Sequence, residues 1–200
     1  MFDCGWHDNT YPGKRVSKTA VPFLAGKNIR ACCFSHFSLT INGKSVNLHS
    51  LKADELIALL ICERGKPISK QRAAGALWPN NDCPLPNLYK VIEHIHRWRF
   101  EGVSVPLIAA RGSICIDISE VDADTEDFIR LYNSDAPEDW VTAVELYRGI
   151  LLIDSKYDWA VEYEAYYDVR YYELLERLTG HYEKIADRNM TQYYRAKQAE

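Results

Sequence analysis

The sequence predicts an α+β module followed by an all-helical one, and three observations carry that expectation. An Asn42-Gly43 pair separates two β-prone runs, a strong hairpin signal because both turn positions accept positive φ. From residue 51 the apolar residues switch to helical spacing. The charge also divides along the chain: residues 28–118 hold eleven Lys/Arg against seven Asp/Glu, whereas residues 119–200 hold nine against nineteen. A basic part followed by an acidic one points to two modules with different partners.

The totals set the class. Two hundred residues at 47% hydrophobic and 26% charged describe a folded chain able to bury a core, not a disordered one. No stretch has the roughly 18 to 20 apolar residues of a membrane span. The start MFDCGWHDNTYPGKR lacks the apolar run of a secretory signal, so the expected compartment is the cytoplasm. Six cysteines (Cys4, Cys32, Cys33, Cys62, Cys83, Cys115) include no C-x-x-C, which favours reduced, buried thiols over metal or disulfide chemistry. There is no nucleophile–base arrangement, Gly-rich phosphate loop or metal spacing, so the expectation is a binding protein that is not an enzyme and needs no cofactor.

Residues 1–28 have no clear period and read as a tail or linker. From Ile29, IRACCFSHFSLTINGKSVNLH reads as a small antiparallel sheet. LKADELIALLICERG puts Leu51, Leu56, Leu59 and Leu60 on one side of a helix that Gly65 stops. Ser69 is a good N-cap for SKQRAAGALW. PNNDCPLP reads as a loop, because three prolines in eight residues oppose a helix. In NLYKVIEHIHRWRFEG the positions Leu88, Val91, Ile92, Ile95 and Trp98 form one buried stripe. The opposite side displays Tyr89, Lys90, Glu93, His94, His96 and Arg97, and Gly102 ends the helix. VPLIAARGSICIDIS then alternates on Ile114, Ile116 and Ile118, with Arg111-Gly112-Ser113 as a hairpin turn. Sheet, two helices, loop, third helix and hairpin over residues 29–118 is the order of a winged helix, whose third helix fits the DNA major groove.

Residues 119–200 read as helical. VDADTEDFIRLYN and PEDWVTAVELYRGI suggest two helices, the second opened by Pro137. DWAVEYEAYYDVRYYELLERLTGHYEKIADRN suggests one long helix striped by Tyr171, Leu174, Leu178, Tyr182 and Ile185, and MTQYYRAKQAE begins another. Ala, Tyr and Leu at the contact positions suggest repeat-like, TPR-like packing.

Within SLKADELIALLICERGKPISKQRAAGALWP, an apolar helix followed by R-G-x-P-[IV]-S and A-L-W-P resembles OmpR-type winged-helix domains. The resemblance is greatest to those fused to a bacterial transcriptional activator domain (BTAD). Ile95-His96-Arg97-Trp98-Arg99 is similar to the I-x-R-L-R of that family's third helix, with Trp98 replacing the usual leucine as a core anchor. VDADTEDFIRLY, AVELYRG, the W-A-x-E helix and LLERLTGHYEKIA resemble the start of a BTAD, so the likeness covers roughly residues 29–195. It implies a bacterial transcription regulator whose helical part serves oligomerisation or signal input, with either a short BTAD or a chain that is a piece of a longer protein. It supplies no phosphoacceptor receiver domain.

Tyr89, Lys90, Glu93, His96, Arg97, Arg99 and Arg111 are the candidate contacts to double-stranded DNA. Arg97 suits a guanine edge or a phosphate, although a helix C-terminus favours a cation by itself. Arg99 suits a phosphate or an internal ion pair. Lys90 and Tyr89 start the exposed face, with a solvated lysine and a partly packed tyrosine as the plain alternative. Glu93 accepts from cytosine N4 or neutralises a neighbouring cation. His96 suits a phosphate or a base, and His94 reads as a satisfied polar group. Two apart on a helix they diverge by about 200°, too far to share one ion alone. Arg111 matches the family's wing arginine and suits a narrow minor groove, with Gly112 giving the turn its freedom. The loop with Asn80, Asn81 and Asp82 resembles the family segment that contacts RNA polymerase. The cluster of Tyr157, Tyr163, Tyr166, Tyr167, Tyr171 and Tyr172 with Trp159 reads as helix packing or as an interface to a partner or second copy. The alternative to a DNA reader is a protein-interaction adaptor built on the same fold.

Overall fold

A computed structural model describes residues 27–199 apart from 154 and 156; most of the expected N-terminal tail, and Cys4, lie outside the described residues. The fold is α+β, with two sheets and seven α-helices among the described residues.

The first sheet forms where the hairpin signal stands. Strands β1 (Ile29–Cys32), β2 (Ser38–Ile41) and β3 (Lys44–Val46) pair antiparallel. Asn42 (φ 51°) and Gly43 (φ 76°) make the two-residue turn, left-handed at both positions as its twist requires. Helix α1 (Leu51–Cys62) is capped by the Ser50 hydroxyl, which accepts from Ala53 N. Leu51, at the first position of the helix, is exposed rather than part of the apolar side, whereas Ala53 two residues on is fully buried. Arg64 and Gly65 both take positive φ after the helix. A Cβ on Gly65 would lie 2.9 Å from Ile118 Cγ2, so glycine is required there for conformation and for space. Strand β4 (Ile68–Ser69) leads into α2 (Lys70–Leu77), whose Ser69 cap accepts from Arg72 N at 3.1 Å.

Helix α3 (Leu85–Arg97) begins inside the stretch expected to be a loop. Pro86 falls in the first turn, where a missing N–H costs nothing. The helix also ends sooner than expected: Trp98 turns extended (ψ 136°). Phe100 and Val103 then close a tight turn through Glu101 and Gly102, both at positive φ. Trp98 therefore leaves the helical stripe and stacks on Phe100, ring centroids 6.4 Å apart. Strands β5 (Leu107–Ala109) and β6 (Ser113–Ile116) form the second hairpin, and β4 joins β6 in a three-stranded sheet. Ile114 and Ile116 point into the core, but Ile118 lies in a 3₁₀ turn, Ile118–Glu120.

The stretch 121–133 is not one helix. Val121–Ala123 is strand β7, which pairs parallel with β1 and completes the first sheet in the order β3-β2-β1-β7. Helix α4 (Asp124–Tyr132) follows at once. The fully buried Asp124 carboxylate accepts from Cys33 N at 2.9 Å and Phe34 N at 3.0 Å, beyond the end of β1. Burial pushes this carboxyl up to about 6, against backbone N–H groups, including that of Thr125, that favour its charged form. Phe34 inserts among Phe128, Tyr147 and Tyr167, with ring centroids 5.0–5.4 Å away. Leu152 N donates to Cys33 O and Ser35 N to Ile150 O, so the loop after β1 is held from the helical side throughout.

Helix α5 (Pro137–Leu146) packs between α4 and α6 (Val161–Lys184). The long helix stops at Lys184 because Ala186 turns left-handed (φ 58°) and Asp187 caps α7 (Arg188–Gln198), accepting from Met190 N at 3.1 Å. Ile185 is consequently 58% exposed and off the stripe that buries Leu174 and Leu178. The cysteines Cys32, Cys33, Cys62, Cys83 and Cys115 are free thiols. Cys33 and Cys62 are buried, Cys32 and Cys115 partly so, and Cys83 is exposed on the loop before α3 instead of in the core. A hydrogen bond to Cys62, reinforced by burial, pushes the Cys33 thiol up.

Two predictions rest on this seam. Asp124→Ala should lower the free energy of unfolding by about 2–5 kcal/mol in urea melts, because two buried N–H groups lose their acceptor. Folded Asp124 also takes its proton near pH 6, above the ordinary aspartate range. Its contribution to stability is therefore greatest below the unfolded value and is lost as pH rises through about 6. The stability of the natural protein relative to Asp124→Asn should rise between pH 7 and pH 4; a pH-independent difference would contradict this.

Candidate nucleic-acid interface

Helix α3 lays Leu88, Val91, Ile92 and Ile95 against α1 and α2. That leaves Tyr89, Lys90, Glu93, His96 and Arg97 exposed. Burial of four aliphatic side chains along one stripe fixes the helix's rotation, so the polar face follows from the core and not from its own contacts.

The face is partly organised. Arg97 donates to Glu93 one turn earlier, an exposed ion pair that contributes little to stability but pre-aims the guanidinium. His96 places Nε2 3.4 Å from Leu107 O on β5, toward the hairpin. His94 places Nε2 2.6 Å from Leu48 O, on the segment before α1. The two imidazoles thus face different elements. Tyr89 lies under the Lys70 ammonium, 5.1 Å from ring centroid to nitrogen.

Arg99 stands apart from this face. Because α3 ends at Arg97, its guanidinium folds back to donate to His96 O at 2.5 Å and Trp98 O at 2.7 Å. It caps carbonyls at the helix C-terminus, which the helix dipole favours.

Arg111 is exposed at the tip of the β5–β6 hairpin. Gly112 does not use left-handed freedom, since its φ is not positive; its carbonyl instead accepts from Lys70 N at 3.1 Å. That bond and the Ser69–Ser113 pairing fasten the hairpin to the start of α2. Lys70 is the residue that sequence reasoning missed. It sits in the first turn of α2, where the helix dipole opposes a cation and welcomes an anion. Its side chain is confined to 8% exposure and leans on Tyr89. The available signal was a lysine directly after a serine cap. Asn80, Asn81 and Asp82 are exposed on the connection between α2 and α3, where Asn81 Oδ1 accepts from Cys83 N at 2.9 Å. Among the described residues no group of three or more His, Cys, Asp or Glu is placed to hold a metal ion.

Part of the tyrosine cluster belongs to a different place, the seam between the start of α6 and α1–α2, while Tyr171 stacks on Tyr147 beside α5. Trp159 Nε1 donates to Glu55 Oε1 at 3.2 Å, Tyr163 donates to Glu63, and Arg72 reaches both Glu63 and Tyr163. Tyr167 is buried against Phe34. Burial lifts the Tyr163 hydroxyl above its ordinary range, as does its bond to Glu63. Tyr172 is the member that remains on the surface.

No family model and no curated protein matches the chain. Among solved structures it is similar in fold to Mycobacterium tuberculosis EmbR, determined in complex with a low-affinity phosphopeptide. The TM-score is 0.61 at 15% sequence identity, over 80% of this chain and 50% of that one. The chain therefore spans half the length of that protein, and at this identity the likeness is one of fold. No helix among the described residues is long and apolar enough to cross a membrane.

Arg99 and Arg97 should separate on substitution. Arg99→Ala should lower the melting temperature by an amount equivalent to about 1 kcal/mol through the lost carbonyl cap. Arg97→Ala, whose partner Glu93 stays solvated, should change stability by less than about 0.5 kcal/mol. Thermal melts of both variants test this; an Arg99→Ala protein as stable as the parent would show that the cap contributes nothing.

Proposed function

We propose that this chain is a sequence-specific DNA-binding transcriptional regulator of the OmpR-type winged-helix and BTAD kind, acting in the bacterial cytoplasm by binding and not by catalysis. In this reading residues 29–118 are the winged helix and residues 119–200 a TPR-like helical module for oligomerisation, a partner protein or a signal. The observation that carries it is α3: its rotation is fixed by a buried stripe, and its exposed face stands beside a hairpin fastened to the start of α2. The fold shared with EmbR supports the same class.

Helix α3 enters the major groove. Arg97, pre-aimed by Glu93, donates to a guanine edge, and Glu93 accepts from a cytosine N4 one step away. Lys90, Tyr89 and His96 complete the helix face. Lys70, at the start of α2, meets a backbone phosphate. Arg111 reaches the flanking minor groove or backbone, fixing register. Arg99 acts through its cap on α3. The loop bearing Asn80, Asn81 and Asp82, held clear of the core, offers a contact to RNA polymerase.

The Glu93–Arg97 pair also favours a second reading, in which this face is near neutral and the chain is a protein-interaction adaptor. Selection of bound sites from a random double-stranded DNA pool separates the two. The regulator enriches a motif, and with about five phosphate contacts its affinity falls with salt at a log–log slope of about −4 to −5. Arg97→Ala should lose about 1–3 kcal/mol of base discrimination at one position, and Lys70→Ala should weaken all sequences alike. A folded protein that enriches no motif and binds DNA independently of salt is the adaptor.

A further inference from the structure

We infer that the outward face of α6 is a docking surface for a basic amphipathic helix of a partner protein. This takes the partner-binding role proposed for the helical module, rests on that part of the reading, and names the surface and the chemistry.

Helix α6 buries one side against α5 and α7, with Leu174, Leu175 and Leu178 in the core. On the other side Val161 is 61% exposed, Val169 55% and Tyr172 46%, and Ala165 is exposed between them. Their spacing of four, four and three puts all four on one arc of the helix. A helix lined this way on its solvent side is unusual, because exposed large apolar residues normally occur singly. The band runs over 12 residues, 161–172, or roughly 18 Å of helix, about three turns of a partner helix. Ala165, Val169 and Tyr172 line a shallow, open depression of about 470 Å³ on this one helix face, and the remaining lining is acidic: Asp168, Glu173 and Glu176.

Charge chooses the occupant. Glu162 lies on the same arc, so four carboxylates border the apolar band. Arg170 is the one cation in residues 161–176, and it is turned to the Tyr166 and Tyr132 rings, 3.4 Å and 5.6 Å from their centroids. Two of the carboxylates are held in place, Asp168 by the Tyr147 hydroxyl and Glu173 by that of Tyr132. Both bonds leave a second oxygen on each for a cation. A second copy of this chain would bring four like charges against four, which low salt penalises. A helix with aliphatic residues at matching spacing and lysines or arginines on its flanks satisfies the apolar band and the acidic border together.

The probe is a dye-labelled 18-residue peptide (~27 Å as a helix) with leucines at helical spacing and lysines on both flanks, titrated with the full chain by fluorescence anisotropy. Its counterpart carries glutamates in place of the lysines. The lysine peptide should bind saturably and more weakly as salt rises, and the glutamate peptide should not bind. Val169→Lys with Glu176→Lys should weaken binding by about tenfold or more, whereas Glu138→Lys, on α5, should leave it within about twofold. Circular dichroism melts of each variant, and Glu176→Lys alone, at an exposed position, guard against loss of fold. Several results overturn the proposal. They are no saturable binding by the folded protein, as when another segment of the same chain covers the face, equal binding of both peptides, and equal loss with Glu138→Lys. So does a sedimenting dimer that Val169→Lys with Glu176→Lys dissociates, since the face would then join two copies. None of these readouts involves DNA, so failure here and failure of the DNA reading are told apart.

Discussion

The structure depends on one buried carboxylate. Asp124 opens α4 and accepts the backbone N–H groups of Cys33 and Phe34, just beyond β1. Those donors would otherwise be orphaned in the core, where an unpaired N–H is costly. Their satisfaction sets where β1 ends, where β7 stops beside it, and the angle at which the helical part leaves the sheet. Phe34 then reaches the Phe128, Tyr147 and Tyr167 rings, so one hydrophobic core runs through both parts of the chain.

Around that anchor the seam is polar and aromatic. Glu55 of α1 and Glu63 at its C-terminal cap are buried, and each is met from the helical side by an aromatic donor, Trp159 and Tyr163. Arg64, which follows, forks onto Glu126 of α4, its Nη2 donating to Oε2 at 3.1 Å. A buried acid without such partners would be strongly destabilising, so these pairs specify one docking geometry more than they add stability. They also run a short physical path from α6, through Tyr163, Glu63 and Arg72, to α2, the helix whose first turn carries Lys70.

The charge of the chain is sorted by this architecture. Lys70, Lys90, Arg97 and Arg111 sit on α2, α3 and the β5–β6 hairpin, while Glu162, Asp168, Glu173 and Glu176 sit on α6. In the proposed reading an anionic polymer and a basic protein segment use different surfaces of the chain.

The sequence by itself determined the elements whose signals are local. The Asn42-Gly43 turn, the Ser69 cap, the stop at Gly65 and the α3 stripe are each set by φ preference, a side-chain acceptor or period, within a few residues. From these the α+β class and most of the exposed residues of α3 were legible. Tertiary structure alone decided the rest. Whether Val121–Ala123 is strand or helical turn depends on a partner ninety residues away in β1. Pro86 and Trp98 exchanged their expected places because the ends of α3 answer to the core and to the Phe100–Val103 turn, not to composition. Lys70 and Arg99 took their roles from a tyrosine ring and two carbonyls brought to them by packing. The tyrosines could not be assigned from spacing, because a helix stripe looks the same whether it meets its own chain or another, and only the positions of Glu55 and Glu63 decided which.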